Sequence, residues 1–423
     1  MVEPKILLAT TTRWPNAPRL MVELLRAGHI VSILCPNDHP SLKIRRAHDT
    51  FLYSRFRPLH SLAKAIEGNK PAIVIPCDDL AVRHLHQLHQ LHSSKRARSA
   101  SGVDIPALIV RSLGHPESYS IVDSRYMLLK IARDEGILTP ETTAISGLQD
   151  LCQLLAFQPF PWVMKADGSN GGSGVRIATT LAEAKDYFAE LRRSIGLLRF
   201  AKHMTVNRDA YLAMQWREVV WSARPAVVTQ PFVHGRSANC AVVCWNGEVL
   251  AGVGCEVVSE QQPLGPASVV RLVDNSDMMN AAAKIARRLS LSGFFGLDFI
   301  IEEETGSTFL IEMNPRCTQH CHLRLEKGRD MIGAISAILK GKPLSEQAPI
   351  TQNDLIAYFP HALLTGSKFL SSSYHDVPLD EPELIQELLF ASLKILHKKQ
   401  KSDREARLEL WAGVGRERRL IPQ

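Results

Sequence analysis

The chain has 423 residues, of which 45% are hydrophobic and 22% are charged, and its 50 Lys and Arg exceed its 43 Asp and Glu. This balance is ordinary for a globular protein, so it argues against disorder as the main state, and the length allows two or three domains. No apolar run approaches membrane-spanning length, and Ile6 to Ala9 is too short for a signal-peptide core, so we expect a cytoplasmic protein.

The net charge bears on nucleic-acid binding, and the cysteines bear on disulfides and metal sites. A net charge of +7 permits nucleic-acid binding, but the basic clusters lack the interleaved aromatic residues of single-strand binders, so we predict no nucleic-acid partner. The eight cysteines contain no CxxC pair, which indicates reduced thiols rather than a disulfide framework. A zinc site at Cys317, His320, Cys321 and His322 stays an alternative, although its spacing matches no common closed site.

The first elements predict a parallel α/β domain over residues 1–120. An apolar run at Lys5 to Ala9, a helix from about Pro18 to Ala27 and a second run at His29 to Cys35 form a βαβ unit. The loop Thr11 to Ala17 has no GxGxxG motif, so a dinucleotide fingerprint is absent. We expect this loop to face a small-molecule cleft at the carboxyl ends of the strands.

A third strand, Ala72 to Pro76, leads into a leucine-rich helix. Asp78 is interpreted as the N-cap of that helix, with substrate contact as the alternative. Four histidines interleave with the leucines, but no acid completes a metal shell, so we predict a solvated face. They are His84, His86, His89 and His92.

A helix between Asp123 and Pro140 opens the next domain, because an Asp/Ser start, an apolar stripe and a Gly stop delimit it. A hairpin with a glycine-rich tip follows, running from Trp162 through Lys165 to Gly174 and beyond. Glycines let backbone N–H groups approach phosphate oxygens closely. The loop is not a Walker loop, since no Gly-Lys-Ser/Thr closes it. Lys165, on the strand before the tip, would supply a point charge to a phosphate.

A second hairpin carries acids. Apolar runs at 297–301 and 308–311 flank a polar segment, which predicts two antiparallel strands bearing Asp298 and Glu312. Asn314 follows Glu312 by two residues and so shares its face. Two carboxylates and an amide suit Mg²⁺, which takes its other ligands from water and phosphates. Plain exposed strand residues are the alternative, disfavoured because a carboxylate in an apolar strand is costly unless neutralised.

Three ordered pieces resemble the ATP-grasp superfamily, which includes biotin carboxylase, carbamoyl phosphate synthetase and the D-alanine ligases. They are Lys165 with its glycine flap, the segment around Gln230, and Asp298 with Glu312-Met-Asn-Pro-Arg316. The resemblance covers roughly residues 1 to 340. It implies ATP and two Mg²⁺ ions, for which Mn²⁺ could substitute, bound by Asp298, Glu312 and Asn314.

The resemblance also implies further roles. Gln230, Phe232 and Val233 would seat adenine, while Gly235-Arg-Ser237 departs from the family's Gly-x-Glu ribose contact. Arg125 stands where the family's usual Lys falls and leaves Lys130 as its rival. The remaining implied phosphate contacts are Lys165, Gly171, Gly172 and Ser173. Arg316 would act on the transferring phosphate or the carboxylate substrate. Arg271 would contact the substrate in the same way or, as an equal alternative, would be a surface arginine.

The predicted fold class is α/β: the N-terminal Rossmann-like domain, then an ATP-grasp module of two α+β lobes over 121–345. The flap lobe would span about 140–230 and the metal-binding lobe about 231–345, with a small C-terminal extension, 346–423, as a lobe or lid. Substrate specificity is expected from the loops Thr11 to Ala17 and Cys77 to Asp79, from the 194–224 insertion and from the terminal lobe.

The implied activity is ADP-forming ligation of a small-molecule carboxylate to an amine through an acyl phosphate. A bicarbonate-using carboxylase and a catalytically silent nucleotide-binding protein are the alternatives. No membrane or nucleic acid is expected as a partner, and a homodimer is left open.

Overall fold

The structure, a computed structural model, describes residues 3–95, 102–167, 174–192, 226–262, 265–342 and 348–393. Gly171, Gly172, Ser173, the 194–224 insertion and the basic C-terminal tail lie outside these ranges. Among the described residues, no helix combines the length and apolar character that crossing a bilayer requires.

The N-terminal domain is built on the parallel sheet that the βαβ pattern predicted. Four strands pair in the order β3-β2-β1-β4. They are β1 (Lys5–Ala9), β2 (Ile30–Cys35), β3 (Thr50–Leu52) and β4 (Ile73–Pro76). The helices of this domain are α1 (Asn16–Arg26), α2 (Pro58–Asn69), α3 (Asp79–Lys95) and α4 (Ile105–Leu113).

Helix α3 follows the prediction at its start but not along its face. The backbone N–H of Ala81 donates to Asp78 Oδ1 at 2.9 Å, as an N-cap requires. His84 and His86, however, are buried, so the predicted solvated face is wrong at these two positions. Helix α3 packs against both α2 and α4, which encloses more than one of its faces. Burial lowers the pKa of His84 to about 4.

The flap lobe has its own antiparallel sheet, of order β5-β8-β6-β7. Its strands are β5 (Thr143–Ile145), β6 (Trp162–Ala166), β7 (Val175–Ala178) and β8 (Val227–Pro231). The preceding helices are α5 (Tyr119–Val122) and α6 (Arg125–Asp134), and those of the lobe are α7 (Leu148–Leu154) and α8 (Leu181–Leu191). Strands β6 and β7 are the predicted glycine-tipped hairpin, with Lys165 opposite Val175.

A seven-stranded sheet, of order β13-β12-β9-β10-β11-β14-β15, forms the centre of the molecule. Its strands are β9 (Gly235–Trp245), β10 (Glu248–Glu260), β11 (Ala267–Val273), β12 (Gly293–Glu302), β13 (Thr308–Asn314), β14 (Leu355–Tyr358) and β15 (Tyr374–Asp376). Only β14 and β15 pair in parallel within this described sheet.

Side chains on β9 alternate between two cores, as successive residues of a strand must. Val242 and Cys244 pack in the core that contains α6 and α9 (Ser276–Arg288). Ala241 and Val243 pack in the core that contains α1 and α10 (Met331–Lys340). The central sheet is therefore covered on both faces, and the N-terminal domain packs against one of them.

The C-terminal residues differ from the prediction of an appended lobe over 346–423. Strands β14 and β15 extend the same sheet that carries the acids, with α11 (His361–Thr365) between them. A last helix, α12 over 382–393, buries Leu384 and Leu388 in the core shared with α1. The described part of this segment is thus integral to the sheet. Strands of only 4 and 3 residues leave little periodic pattern in the sequence.

Candidate active site

A cavity of about 400 Å³ lies where the N-terminal domain, the flap lobe and the central sheet meet. This volume lies within the range of small-molecule sites. The predicted site residues that line it come from α6, β6, the segment around β8, and the β12–β13 hairpin. They are Arg125, Lys165, Gln230, Phe232, Val233, Asp298, Glu312, Asn314 and Arg316.

The β12–β13 hairpin brings the three proposed oxygen ligands together. Asp298 lies opposite Glu312 in the antiparallel register, and Asn314 Nδ2 donates to Asp298 Oδ2 at 3.0 Å. The register shifts directly after Asp298, so that Phe299 pairs with Leu310. Such a β-bulge bends the strand and redirects side chains, and bulges are common beside active sites.

Electrostatics at this hairpin fit a divalent cation. Burial, together with repulsion from Glu312, raises the pKa of Asp298 to about 6. Two neighbouring acids on one wall are stabilised in their charged forms when a cation lies between them. The described residues hold no cluster of three or more His, Cys, Asp or Glu side chains arranged for a metal. A cation here would therefore depend on Asn314, water and ligand phosphates for its other contacts.

Arg125, the first residue of α6, links the two lobes at the cavity. Its Nη2 lies 2.6 Å from Glu312 Oε1, and its Nη1 lies 3.3 Å from Asp167 Oδ1. Nη1 also donates to the carbonyl oxygen of Ala166 at 3.2 Å. Its rival Lys130 is exposed and does not line the cavity. The geometry thus favours Arg125 as the cation of α6 that meets a ligand.

Lys165 is a buried cation on the opposite wall. It is 5% exposed, and burial, with Arg125 nearby, lowers its pKa to about 8. Asp298 and Glu312 act in the opposite direction and favour its charged form. A buried lysine in the lining of a cavity can supply positive charge to an anionic ligand.

The segment around Gln230 differs in one detail from the predicted adenine seat. Gln230 Nε2 donates to Thr142 Oγ1 at 2.9 Å, which leaves the amide oxygen as the acceptor. The backbone N–H of Phe232 already donates to Pro161 O at 3.0 Å. Phe232 can therefore offer its carbonyl oxygen to a ligand but not its N–H. Ser237, where the family motif is broken, lines the cavity.

The two arginines predicted to act on substrate lie in different places. Arg316 lines the cavity, with Nε 3.1 Å from Asp79 Oδ2. Arg271 is not part of the lining; its side chain is 47% exposed, and Nε lies 3.5 Å from Asp354 Oδ2. The prediction of a catalytic Arg271 is therefore corrected to a surface arginine. It lies on β11 opposite Leu355 of β14, beyond the part of the sheet that forms the cavity.

Some lining residues were not identified from the sequence. Trp14 and Asn16 come from the β1–α1 region, consistent with the expectation that the loop Thr11 to Ala17 faces a cleft. Asp79 and Asp167 also line the cavity. Asp79 belongs to the Cys77 to Asp79 loop, from which substrate specificity is expected, and it follows the carboxyl end of a parallel strand, where ligand sites form.

Comparison with known proteins agrees with this architecture. A model of the ATP-grasp domain matches residues 206–320. The large chain of carbamoyl phosphate synthase from Methanothermobacter thermautotrophicus is 22% identical over 300 residues, covering 71% of this chain and 25% of that protein. The corresponding chain from Thermoplasma volcanium is 26% identical over 254 residues, covering 59% and 22%. This chain thus spans about a quarter of these relatives.

Solved structures show the same fold. A biotin carboxylase β,γ-ATP complex from Campylobacter jejuni aligns with TM-score 0.57 and 14% identity, covering 81% of this chain and 72% of that one. N5-carboxyaminoimidazole synthetase from Staphylococcus aureus, complexed with ADP, aligns with TM-score 0.55 and 13% identity, covering 81% and 78%. The chain thus matches the ATP-grasp domain over residues 206–320 and shares the fold of these solved structures.

Proposed function

We propose that the protein is an ATP-dependent carboxylate–amine ligase that forms an acyl phosphate and releases ADP and phosphate. One observation carries this proposal: Asp298, Glu312 and Asn314 share a cavity with the cations Arg125, Lys165 and Arg316. Acids that can hold Mg²⁺, facing cations that can hold phosphate, are what phosphoryl transfer needs from a protein.

Acyl-phosphate formation and its attack by an amine require few other groups from the protein. A carboxylate is a poor acylating agent until a phosphoryl group makes one of its oxygens a leaving group, after which an amine can attack the carbonyl carbon. Neither step requires a covalent bond to the protein. The contribution of the side chains is to hold ATP and the acid close together and to balance the phosphate charge.

Asp298, Glu312 and Asn314 would hold Mg²⁺, two ions in our proposal, with Mn²⁺ as a substitute. When bound, the metal neutralises charge on the phosphates and orients them. Arg125 is coupled to this proposed metal site, because its Nη2 lies 2.6 Å from Glu312 Oε1. A cation at Glu312 would weaken this pair and leave the guanidinium available to phosphate oxygens.

The nucleotide would lie between the lobes. We assign the adenine amino group to the side-chain oxygen of Gln230 and the carbonyl oxygen of Phe232, with Val233 beside them. Lys165 would contact the α- or β-phosphate, and the flap glycines Gly171 and Gly172 with Ser173 would cover the phosphates. The arrangement of Gln230, which already donates to Thr142, supports an acceptor role for its oxygen.

A bicarbonate-using carboxylase is the second candidate activity, and it differs from the ligase in its acid substrate. The biotin carboxylase domain of a Hydrogenobacter thermophilus 2-oxoglutarate carboxylase was solved with MgADP and bicarbonate, and it aligns with TM-score 0.56 at 13% identity. A carboxylase would use the same ATP site with bicarbonate as its acid. That domain was a dimer, and the oligomeric state of this chain can be measured by light scattering.

ADP release tests the proposal. The full chain with MgATP is assayed with carboxylic acids, with amines, with each acid–amine pair, and with bicarbonate in place of the acid. Turnover that requires both an acid and an amine supports a ligase. Turnover with bicarbonate alone supports a carboxylase, and tight MgATP binding without turnover under any condition contradicts both activities.

A further inference from the structure

The guanidinium of Arg316 is held from three directions. Its Nε donates to Asp79 Oδ2 at 3.1 Å, and its Nη2 donates to Asn314 Oδ1 at 3.1 Å. Its Nη1 donates to the carbonyl oxygen of Cys317 at 3.3 Å. The ring of Trp14 lies 5.8 Å from Cζ. A guanidinium has five N–H donors, so these bonds leave one on each terminal nitrogen.

Of the three hydrogen-bond partners, Asp79 is the one that comes from another domain, the N-terminal domain to which Trp14 also belongs. Asn314 and Cys317 belong to the same chain segment as Arg316, whereas Asp79 lies 237 residues earlier, at the start of α3. It lines the same cavity and is 21% exposed. The N-terminal domain therefore reaches the proposed catalytic centre through this carboxylate.

The position of Asp79 is itself fixed by its neighbour. Asp78 is buried and accepts hydrogen bonds from the hydroxyls of Thr10 and Thr11, and from the backbone N–H groups of Thr11 and Ala81. These bonds join the β1–α1 loop to the first turn of α3. A carboxylate on a rigid first turn can orient a planar guanidinium far better than one on a free loop.

We propose that Asp79 is the positioning residue for Arg316. By holding Nε, it turns the guanidinium so that the two remaining N–H groups meet an oxyanion in the cavity. That oxyanion is either the carboxylate to be activated or the phosphate transferred from ATP, which share the same bidentate chemistry. The inference rests on the proposed function, and it makes the N-terminal domain a part of the catalytic centre.

The direction in which Asp79→Asn changes the affinity for an anion distinguishes a positioning role from a purely electrostatic one. Asp79 is negatively charged, so if it acted only through its charge, Asp79→Asn would remove repulsion and tighten anion binding. If it positions Arg316, the same substitution releases the guanidinium and weakens anion binding. A hydrogen bond to a charged group is worth enough for the loss to be about tenfold in affinity.

Calorimetric titration of the MgADP-loaded full chain tests this, with inorganic phosphate and acetate as separate probes. We expect wild type to bind at least one probe, Asp79→Asn to bind it about tenfold more weakly, and Asp79→Glu to recover part of the loss. In a double-mutant cycle, adding Asp79→Asn to Arg316→Ala should change little, because the residue acts through Arg316. Phosphate or acetate as the stronger probe identifies the oxyanion.

Asp354→Asn is the matched control, since it removes a carboxylate from Arg271 away from the cavity. It should match wild type in probe binding, and its melting temperature shows what loss of one such pair does to stability. Binding that is unchanged or tighter in Asp79→Asn, additive losses in the cycle, or no probe binding to loaded wild type would overturn the inference. Failure of wild type to bind MgADP would instead overturn the proposed function itself.

Discussion

Glu312 has two partners in our proposal at different times: Arg125 in the structure described here, and a metal ion during turnover. Its Oε1 lies 2.6 Å from Arg125 Nη2, close enough for a strong charge-assisted hydrogen bond. No local sequence pattern contains this pair, because the two residues are 187 positions apart. The strand alternation did place Asp298, Glu312 and Asn314 on one face, since side-chain direction in a hairpin follows from spacing alone.

Glu312→Gln should lower ADP release by about 100-fold or more, because even residues that only support a metal ligand typically cost 10- to 100-fold. The substitution keeps the shape of the side chain but removes the charge. Steady-state kinetics at saturating Mg²⁺ measures the effect. Glu303→Gln, on an exposed position just past β12, should retain full activity, and an equal loss in both variants would contradict a metal role for Glu312.

The affinity for MgATP should fall at alkaline pH, because Lys165 loses its charge there. Burial, with Arg125 nearby, lowers its pKa to about 8, so the side chain is charged below that pH and neutral above it. Affinity for MgATP should therefore fall by up to about tenfold per pH unit as the pH rises through this value. The affinity of Lys165→Arg should not fall in this pH range, because a guanidinium stays charged. Titrations from neutral pH upward compare the two proteins, and an identical alkaline fall in both would assign it to another group.

At the scale of elements, the two functional hairpins could be predicted because each carries its own local signal. Glycines mark the flap tip before β7, and two apolar runs around a polar segment mark β12 and β13. Arg271 shows the limit of such reasoning. Its place in the sequence resembled that of a substrate-binding arginine, but β11 continues beyond the cavity to pair with β14. Which end of a strand meets a ligand depends on sheet order, which spacing along the chain does not encode.

Trp162 is a large buried side chain in the core of the flap hairpin. Its side chain is fully buried, and its indole N–H donates to the carbonyl oxygens of Gln158 and Pro159. Trp162→Ala should destabilise the protein by about 3–5 kcal/mol, through lost packing and a residual cavity. It should also weaken ATP binding, since Lys165 lies three residues along the same strand. Urea unfolding measures the first effect and nucleotide titration the second.

Phe157→Ala is the matched aromatic control in the same lobe. Phe157 is 74% exposed, so its removal should change stability by no more than about 0.5 kcal/mol. If both variants unfolded at the same denaturant concentration, the burial of Trp162 would contribute little to the stability of this lobe.

At the scale of the whole molecule, one buried carboxylate joins three distant parts of the chain. Asp376 of β15 accepts a hydrogen bond from Arg19 of α1, and its Oδ2 lies 2.8 Å from His322 Nε2. His322 follows the strand that carries Glu312 and Asn314. The sequence could not show this, because Asp376 and Arg19 are 357 residues apart. This cluster explains why the described residues 348–393 pack with the sheet rather than as an appended lobe.

Asp376→Asn should destabilise the protein by about 3–5 kcal/mol, because it leaves the buried charge of Arg19 without compensation. Against the desolvation that burial imposes, Arg19 and His322 hold the pKa of Asp376 well below its usual range. A depressed carboxyl pKa contributes stability above the unfolded value, near 4, and that contribution is lost as the pH falls towards the folded value. Equilibrium unfolding of wild type and variant at neutral pH measures the difference.

Asp380→Asn removes a carboxylate that lies 2.7 Å from Arg26, which is on α1 as Arg19 is, but Asp380 is 64% exposed. Because water screens such a pair, its loss should cost no more than about 1 kcal/mol. A large loss for Asp376→Asn with a small loss for Asp380→Asn would show that α1, the loop after β13 and β15 unfold as one unit. Equal, small losses would mean that the C-terminal strand contributes little to the fold around the proposed catalytic centre.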